Sequence, residues 1–227
     1  MELVEVTVNP ADLNPDPKEI LFLLGPDGQE NGLDTKELVR QCINSCRELA
    51  EPRAGYVSFP AAPAPSAGRI QTGTSIFRTG SRIARMLTNA RDFHFFLATI
   101  GPAPEKLARD LMKKGDYLNG YVTDLAASAL AEEVAGMVHD RIRTTAGLAG
   151  AGCSNRYSPG YCGWKVDEQQ MLFRLFPEQP LGITLSPSSL MLPVKSVSGV
   201  VATGPGVTFQ DYTCEICNMK NCPYRKK

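Results

Sequence analysis

The hydrophobic and polar positions of the chain predict a series of short elements of mixed type. Residues 3–8 alternate apolar with acidic or polar positions, a strand pattern that ends at Asn9-Pro10. Helical spacing predicts one helix over Lys18–Leu24, stopped by Gly25-Pro26, and a second over Asp34–Leu49. In the second, Leu38, Val39, Cys42, Ile43 and Cys46 share a face, so both cysteines read as small apolar core residues. Extended segments are predicted at Ala54–Phe59 and around Ile70–Phe77, separated by the proline loop 60–65. A helix near Ser81–Asn89 precedes the run Phe93–Ile100, which has the apolar continuity of a buried strand. Gly101-Pro102 breaks that strand. Pro104-Glu105 opens another helix, since proline is tolerated in a first turn.

The strongest period lies over Gly120–Arg143. There Val122, Ala126, Leu130, Val134 and Val138, with their neighbours Leu125, Ala129 and Met137, predict a core-facing stripe. The other face carries Asp124, Ser128, Glu132, Gly136 and His139; it reads as solvated, with His139 satisfied locally. A Gly/Ala-rich break at 147–152 leads into Asn155-Arg156-Tyr157-Ser158-Pro159-Gly160-Tyr161-Cys162-Gly163-Trp164. Such a stiff loop exposes backbone donors and can cradle a flat polar molecule, with Arg156 offering a planar fork to a carboxylate. An ordinary Pro-Gly turn accounts for the same residues. Asp167 and Gln170 are spaced as a capping box for a helix ending at Pro177, and Leu181–Phe209 reads as short strands with tight turns.

Composition narrows the class. A chain of 227 residues, 43% hydrophobic and 21% charged, is long enough for a substantial core and has the balance of a globular protein. Its formal net charge of zero gives no footprint for a nucleic-acid partner, and the terminal Arg225-Lys226-Lys227 reads as a solvated end. No segment approaches the about 18 apolar residues of a membrane span, and the start has no signal-peptide pattern. With seven cysteines, an odd number, of which Cys42, Cys46, Cys153 and Cys162 are scattered, a reducing, cytoplasmic location is expected rather than a disulfide framework.

The other three thiols, Cys214, Cys217 and Cys222, crowd the end of the chain. A Cys-x-x-Cys pair with a third thiol nearby has the spacing of a metal site, either structural zinc or an iron–sulfur cluster. Both metals normally take four protein ligands, so a fourth would come from Cys153 or Cys162; a tail without metal stays open as well. Residues 1–209 are therefore expected to form one domain and 210–227 a Cys-rich tail.

The motif Arg156-Tyr157-Ser158-Pro159-Gly160-Tyr161 resembles the Arg-x-x-Pro-Gly-Tyr signature of the activation (reactivation) domain of cobalamin-dependent methionine synthase. The similarity extends upstream over Leu130–Arg143 and downstream over Gly182–Leu185 and Met191–Gly199, roughly residues 90–205, and has the look of a stand-alone form of that domain. The resemblance implies an α+β fold, a C-shaped single domain with a twisted antiparallel sheet flanked by helices. It implies S-adenosylmethionine binding and docking over the cobalamin of a methionine synthase or another corrinoid protein, with an electron donor completing reductive remethylation. Carried over by motif, Arg156 would hold the methionine carboxylate, Ser158 and Gly160 would touch the ligand through backbone, and Glu132 or Tyr161 would face the sulfonium. Two family contacts to that ligand have no counterpart: the acidic residue of an N-terminal aromatic segment, and the tyrosine after the last β turn, where Gly204-Pro205-Gly206 stands. A second reading follows, a corrinoid-docking redox module that uses the tail cysteines and binds no methyl donor.

Overall fold

The computed structural model describes residues 2–25, 32–64 and 66–210. One five-stranded antiparallel sheet organises the molecule, in the order β1 (Val4–Val6), β2 (Arg53–Pro60), β5 (Asp92–Thr99), β9 (Ser196–Gly204), β6 (Gly152–Cys153). Two small hairpins stand beside it: β3 (Ile70–Thr72) with β4 (Ser75–Phe77), and β7 (Thr184–Leu185) with β8 (Met191–Leu192). The sheet is curled and flanked by helices, the α+β class expected of the chain.

Alternation along the strands creates two cores. Tyr56, Phe96, Ala98 and Val201 point to one face of the sheet, where α1 (Pro17–Leu23), α2 (Gly32–Leu49) and α5 (Tyr117–Leu148) pack. Val57, Phe93, Phe95, Leu97 and Val200 point to the other, covered by Phe77, Ile83 of α3 (Gly80–Met86), Trp164 and Leu172 of α6 (Gln169–Phe173). Because both faces are covered, β5 is buried almost without interruption, as its apolar run predicts. Cys42 and Cys46 lie in the helical core, as their spacing predicts, and α4 (Ala103–Lys113) begins at the expected proline turn.

Four expectations change. The long helix starts at Tyr117, where the Asp116 carboxylate accepts the Asn119 amide, and it continues to Leu148. Its second face is not a solvated stripe, because β9 and the segment before it lie along it: Lys195 reaches Asp124 and Ser128, Arg156 reaches Glu132, and His139 is buried. The capping box does not form. Asp167 sits inside a 3-10 turn (Val166–Glu168) without a capping bond, and the following helix ends at Phe173, well before Pro177. The last third carries one nine-residue strand, β9, inside the sheet between β5 and β6, rather than short strands alone.

Among the described residues no helix is long and apolar enough to cross a membrane.

Candidate functional site

The loop 155–164 is tied to the sheet at one end. Tyr157 makes a two-way backbone bridge with Val200 of β9, its N–H donating at 3.0 Å and its carbonyl accepting at 2.8 Å. The approach needs Gly199: a Cβ there would lie 2.5 Å from the Tyr157 carbonyl oxygen and 2.8 Å from the Phe96 ring. The loop is then closed on itself, with Gly160 N–H donating to the Trp164 carbonyl (2.7 Å), Trp164 N–H to Tyr161 (2.9 Å) and Tyr161 N–H to Ser158 (3.3 Å). Gly160 has a φ of +99°, and open space surrounds the position of its missing Cβ. Glycine is required there by backbone conformation rather than by crowding.

The other end of the loop is anchored by a buried carboxylate. Trp164 is 1% exposed, and its Nε1 donates to Glu168 Oε2 at 3.3 Å. The same carboxylate accepts the Arg78 backbone N–H (2.6 Å) and Arg78 Nε (2.9 Å). Glu168 is therefore the hub that joins the loop to the turn before α3. Sequence reasoning passed over it and chose its neighbour Asp167. The available signal was the i,i+4 spacing of Trp164 and Glu168, a buried aromatic donor one turn from an acid.

Arg156 and Glu132 meet. One guanidinium nitrogen of Arg156 lies 3.4 Å from Glu132 Oε2 and 3.4 Å from the Glu132 carbonyl oxygen. The Arg156 side chain is 28% exposed and that of Glu132 58%, so the pair is open to solvent on the acid side. At this distance and exposure it holds the guanidinium in place with little net stability. Tyr161 is exposed at the far side of the loop and Ser158 is half-buried. The N–H of Gly160 is occupied within the loop, so its carbonyl is the backbone group left to a ligand.

Lys195, a residue the sequence reading did not single out, is 9% exposed and bonds Asp124 Oδ1 at 2.7 Å and Ser128 Oγ at 2.8 Å. It holds the Met191–Gly199 segment onto the same helix face that carries Glu132, two turns away. His139, further along, is bonded by Nε2 to the Ser154 carbonyl (2.7 Å), and burial pushes its pKa down. It serves locally, as expected.

The cysteines divide by burial. Cys153 Sγ lies 3.6 Å from His139 Nε2, and burial pushes its thiol up to about 11; Cys46 is raised to about 12 by burial and by the neighbouring Cys42. Such thiols are poor nucleophiles. Among the described residues no group of three or more His, Cys, Asp or Glu is placed to hold a metal ion. Cys214, Cys217 and Cys222 lie outside the described residues. The root of that tail is nonetheless placed: Asn155 Nδ2 donates to the Gln210 carbonyl (2.7 Å) and Gln210 N–H donates to Asn155 Oδ1 (2.9 Å). Phe209 rests against the His139 ring at 6.0 Å. Gln210 is therefore clamped to Asn155, the residue before Arg156.

A curled antiparallel sheet backed by a long helix, with an Arg-x-x-Pro-Gly-Tyr loop bridged to its long strand β9, defines an activation-domain architecture. The model of the family "Vitamin B12 dependent methionine synthase, activation domain" matches residues 83–224, more than half of the chain, and the chain belongs to that family. Among solved structures it is similar to the crystal structure of the MetH reactivation domain bound to AdoHcy, with a TM-score of 0.68. The two share 18% sequence identity over 93% of this chain and 80% of that one, a likeness of fold. No curated protein was found to match the chain.

Proposed function

We propose that the chain is a reactivation subunit that binds S-adenosylmethionine and docks on the cobalamin of a separate methionine synthase. The observation that carries this reading is the convergence of Arg156 and Glu132 beside the Arg156–Tyr161 loop. An arginine held by two long contacts to one residue can turn its fork to an amino-acid carboxylate, and the released Glu132 carboxylate can then face the positive sulfonium or ammonium. The residues fit a zwitterionic, cationic ligand. The related reactivation domain was solved bound to AdoHcy, which shares the amino-acid zwitterion of this ligand and lacks its sulfonium charge. The chemistry of methyl and electron transfer belongs to the partner's corrinoid; this chain's residues bind and orient.

The test is equilibrium binding of S-adenosylmethionine to the purified protein, followed by recovery of Co(II)-inactivated methionine synthase activity. Saturable binding that Arg156→Ala weakens about tenfold or more is expected, since one charge-assisted contact is lost. Absence of any heat or competition signal at millimolar ligand would sink the reading.

A second reading is favoured by one observation, the clamp between Asn155 and Gln210. It fixes Gln210, four residues before Cys214, against the first residue of the same loop. In this reading the tail thiolates hold zinc or an iron–sulfur cluster next to the corrinoid, and the module acts with an electron donor and without a methyl donor. Iron and visible absorbance in anaerobically purified protein would support it, and recovery of activity that strictly requires S-adenosylmethionine would count against it.

A further inference from the structure

The chain is neutral overall, yet residues 52–91 contain six arginines and no Asp or Glu. Arg53 and Arg91 are committed to local pairs with Glu51 and Asp92. The stretch folds back so that Arg69, from the turn before β3, and Arg78, from the turn before α3, line one wall of a cleft of about 430 Å³; Lys165, just past the Arg156–Trp164 loop, lines another. The cleft belongs to the far end of that loop and includes neither Arg156 nor Glu132.

We infer that this cleft is a second ligand site, one that takes a phosphate-bearing small molecule. Three cations line it, and its one acid, Glu168, is already engaged by Arg78. Among the described residues Arg69 and Lys165 make no ion pair. Arg78 is bound to Glu168 through its backbone N–H and Nε, while its side chain stays 69% exposed. A guanidinium gripped at Nε is held in one orientation and keeps its terminal nitrogens for a second anion, the geometry that suits phosphate. Ala67, Gly68, Gly80, Ser81 and Gly163 complete the lining, and at Gly163, where an added Cβ would meet nothing within 4 Å, a ligand can approach the backbone closely. In the same turn the fully buried Thr79 hydroxyl has no hydrogen-bond partner among the described residues.

The walls also say what the ligand is not. No aromatic side chain lines the cleft, so nothing there stacks a base; the anion itself is the recognised part. The volume is that of a small-molecule site, which favours a compact phosphate ligand over an acidic protein surface.

The proposal stands apart from the S-adenosylmethionine reading and fails separately from it. The experiment is titration of the whole protein with pyrophosphate at low ionic strength, read by calorimetry, for the native chain and for Arg69→Ala, Lys165→Ala and Arg156→Ala. Arg78 is left intact, because replacing it would strand the buried Glu168. Saturable binding is expected, weakened about tenfold by removal of either Arg69 or Lys165 and unchanged by Arg156→Ala. ADP in parallel distinguishes the source: equal affinity points to free phosphate or pyrophosphate, and affinity at least about tenfold tighter points to a nucleotide. No saturable binding at millimolar pyrophosphate overturns the proposal, as does binding indifferent to Arg69 and Lys165. A polyglutamate peptide that binds where pyrophosphate does not also overturns it, by making the patch a protein-docking face.

Discussion

Replacing Glu168 by alanine takes the acceptor from the Arg78 amide and from Trp164 Nε1 together. Both donors lie in or beside the core, so Glu168→Ala is expected to lower unfolding stability by about 1–3 kcal/mol in urea titrations. Glu168→Gln keeps one acceptor oxygen and should lose less. An equal loss for both would mean that the charge, not the hydrogen bonds, holds the loop. The sequence carried only a local hint of this residue, its i,i+4 spacing from Trp164, because its other partner is distant in the chain: Arg78 is 90 positions upstream. Asp167 had the local spacing of a cap, and the longer-range contact won. His94 belongs to the same scale. Its ring bonds Ser58 through Nδ1 (2.7 Å) and Thr203 through Nε2 (2.8 Å), and burial lowers its pKa from 6.5 to about 4. The folded state therefore binds fewer protons than the unfolded chain across that interval. Stability is expected to be full above about pH 6.5 and to fall as the pH drops toward 4, with a slope of up to roughly 1 kcal/mol per pH unit from this group. In His94→Gln that part of the slope should vanish, and an unchanged pH profile would assign the acid sensitivity elsewhere.

At the level of elements the long helix α5 was the most legible part of the chain and also the source of the largest misassignment. Its period marked Val122, Ala126, Leu130, Val134 and Val138 correctly, and all five are fully buried. Periodicity reports which residues share a face and is silent about what covers the opposite one. Here α2 and α4 pack on one side while β9 and its preceding segment lie along the other, so polar residues on the second face gained partners instead of water. Two glycines within this helix should respond oppositely to substitution. At Gly136 an added Cβ meets nothing within 4 Å, and Gly136→Ala should stabilise by about 0.5–1 kcal/mol through lower unfolded-state entropy. At Gly120 the same atom would lie 2.6 Å from Met112 Cγ and 3.0 Å from the Ala108 carbonyl oxygen, where α4 crosses. Gly120→Ala should therefore destabilise, by about 1–3 kcal/mol. Thermal melts of the two variants settle the signs, and stabilisation by both would mean that α4 can move aside.

For the whole molecule the question is how the tail relates to the domain that carries it. The motif Arg156–Tyr161 was legible because its chemistry is local: proline, glycine and a planar cation within six residues. The clamp on Gln210 was not legible, since it joins positions 55 apart through a side-chain amide with no sequence pattern of its own. Yet that clamp changes what the cysteines can do. Four residues of extended chain reach about 14 Å, which bounds the distance of Cys214 from Gln210, whose partner Asn155 precedes Arg156. A chain ending at Gln210 retains every described contact. If the tail thiolates are the ligands, that shortened chain binds no zinc or iron when purified anaerobically, while the full chain does. Asn155→Ala gives the complementary result: metal content retained, because the thiols are intact, and corrinoid recovery slowed, because their root is released. Equal metal in the full and shortened chains would move the ligands into residues 1–210. Unimpaired recovery in Asn155→Ala would make the tail an independent appendage, with no part in work at the loop.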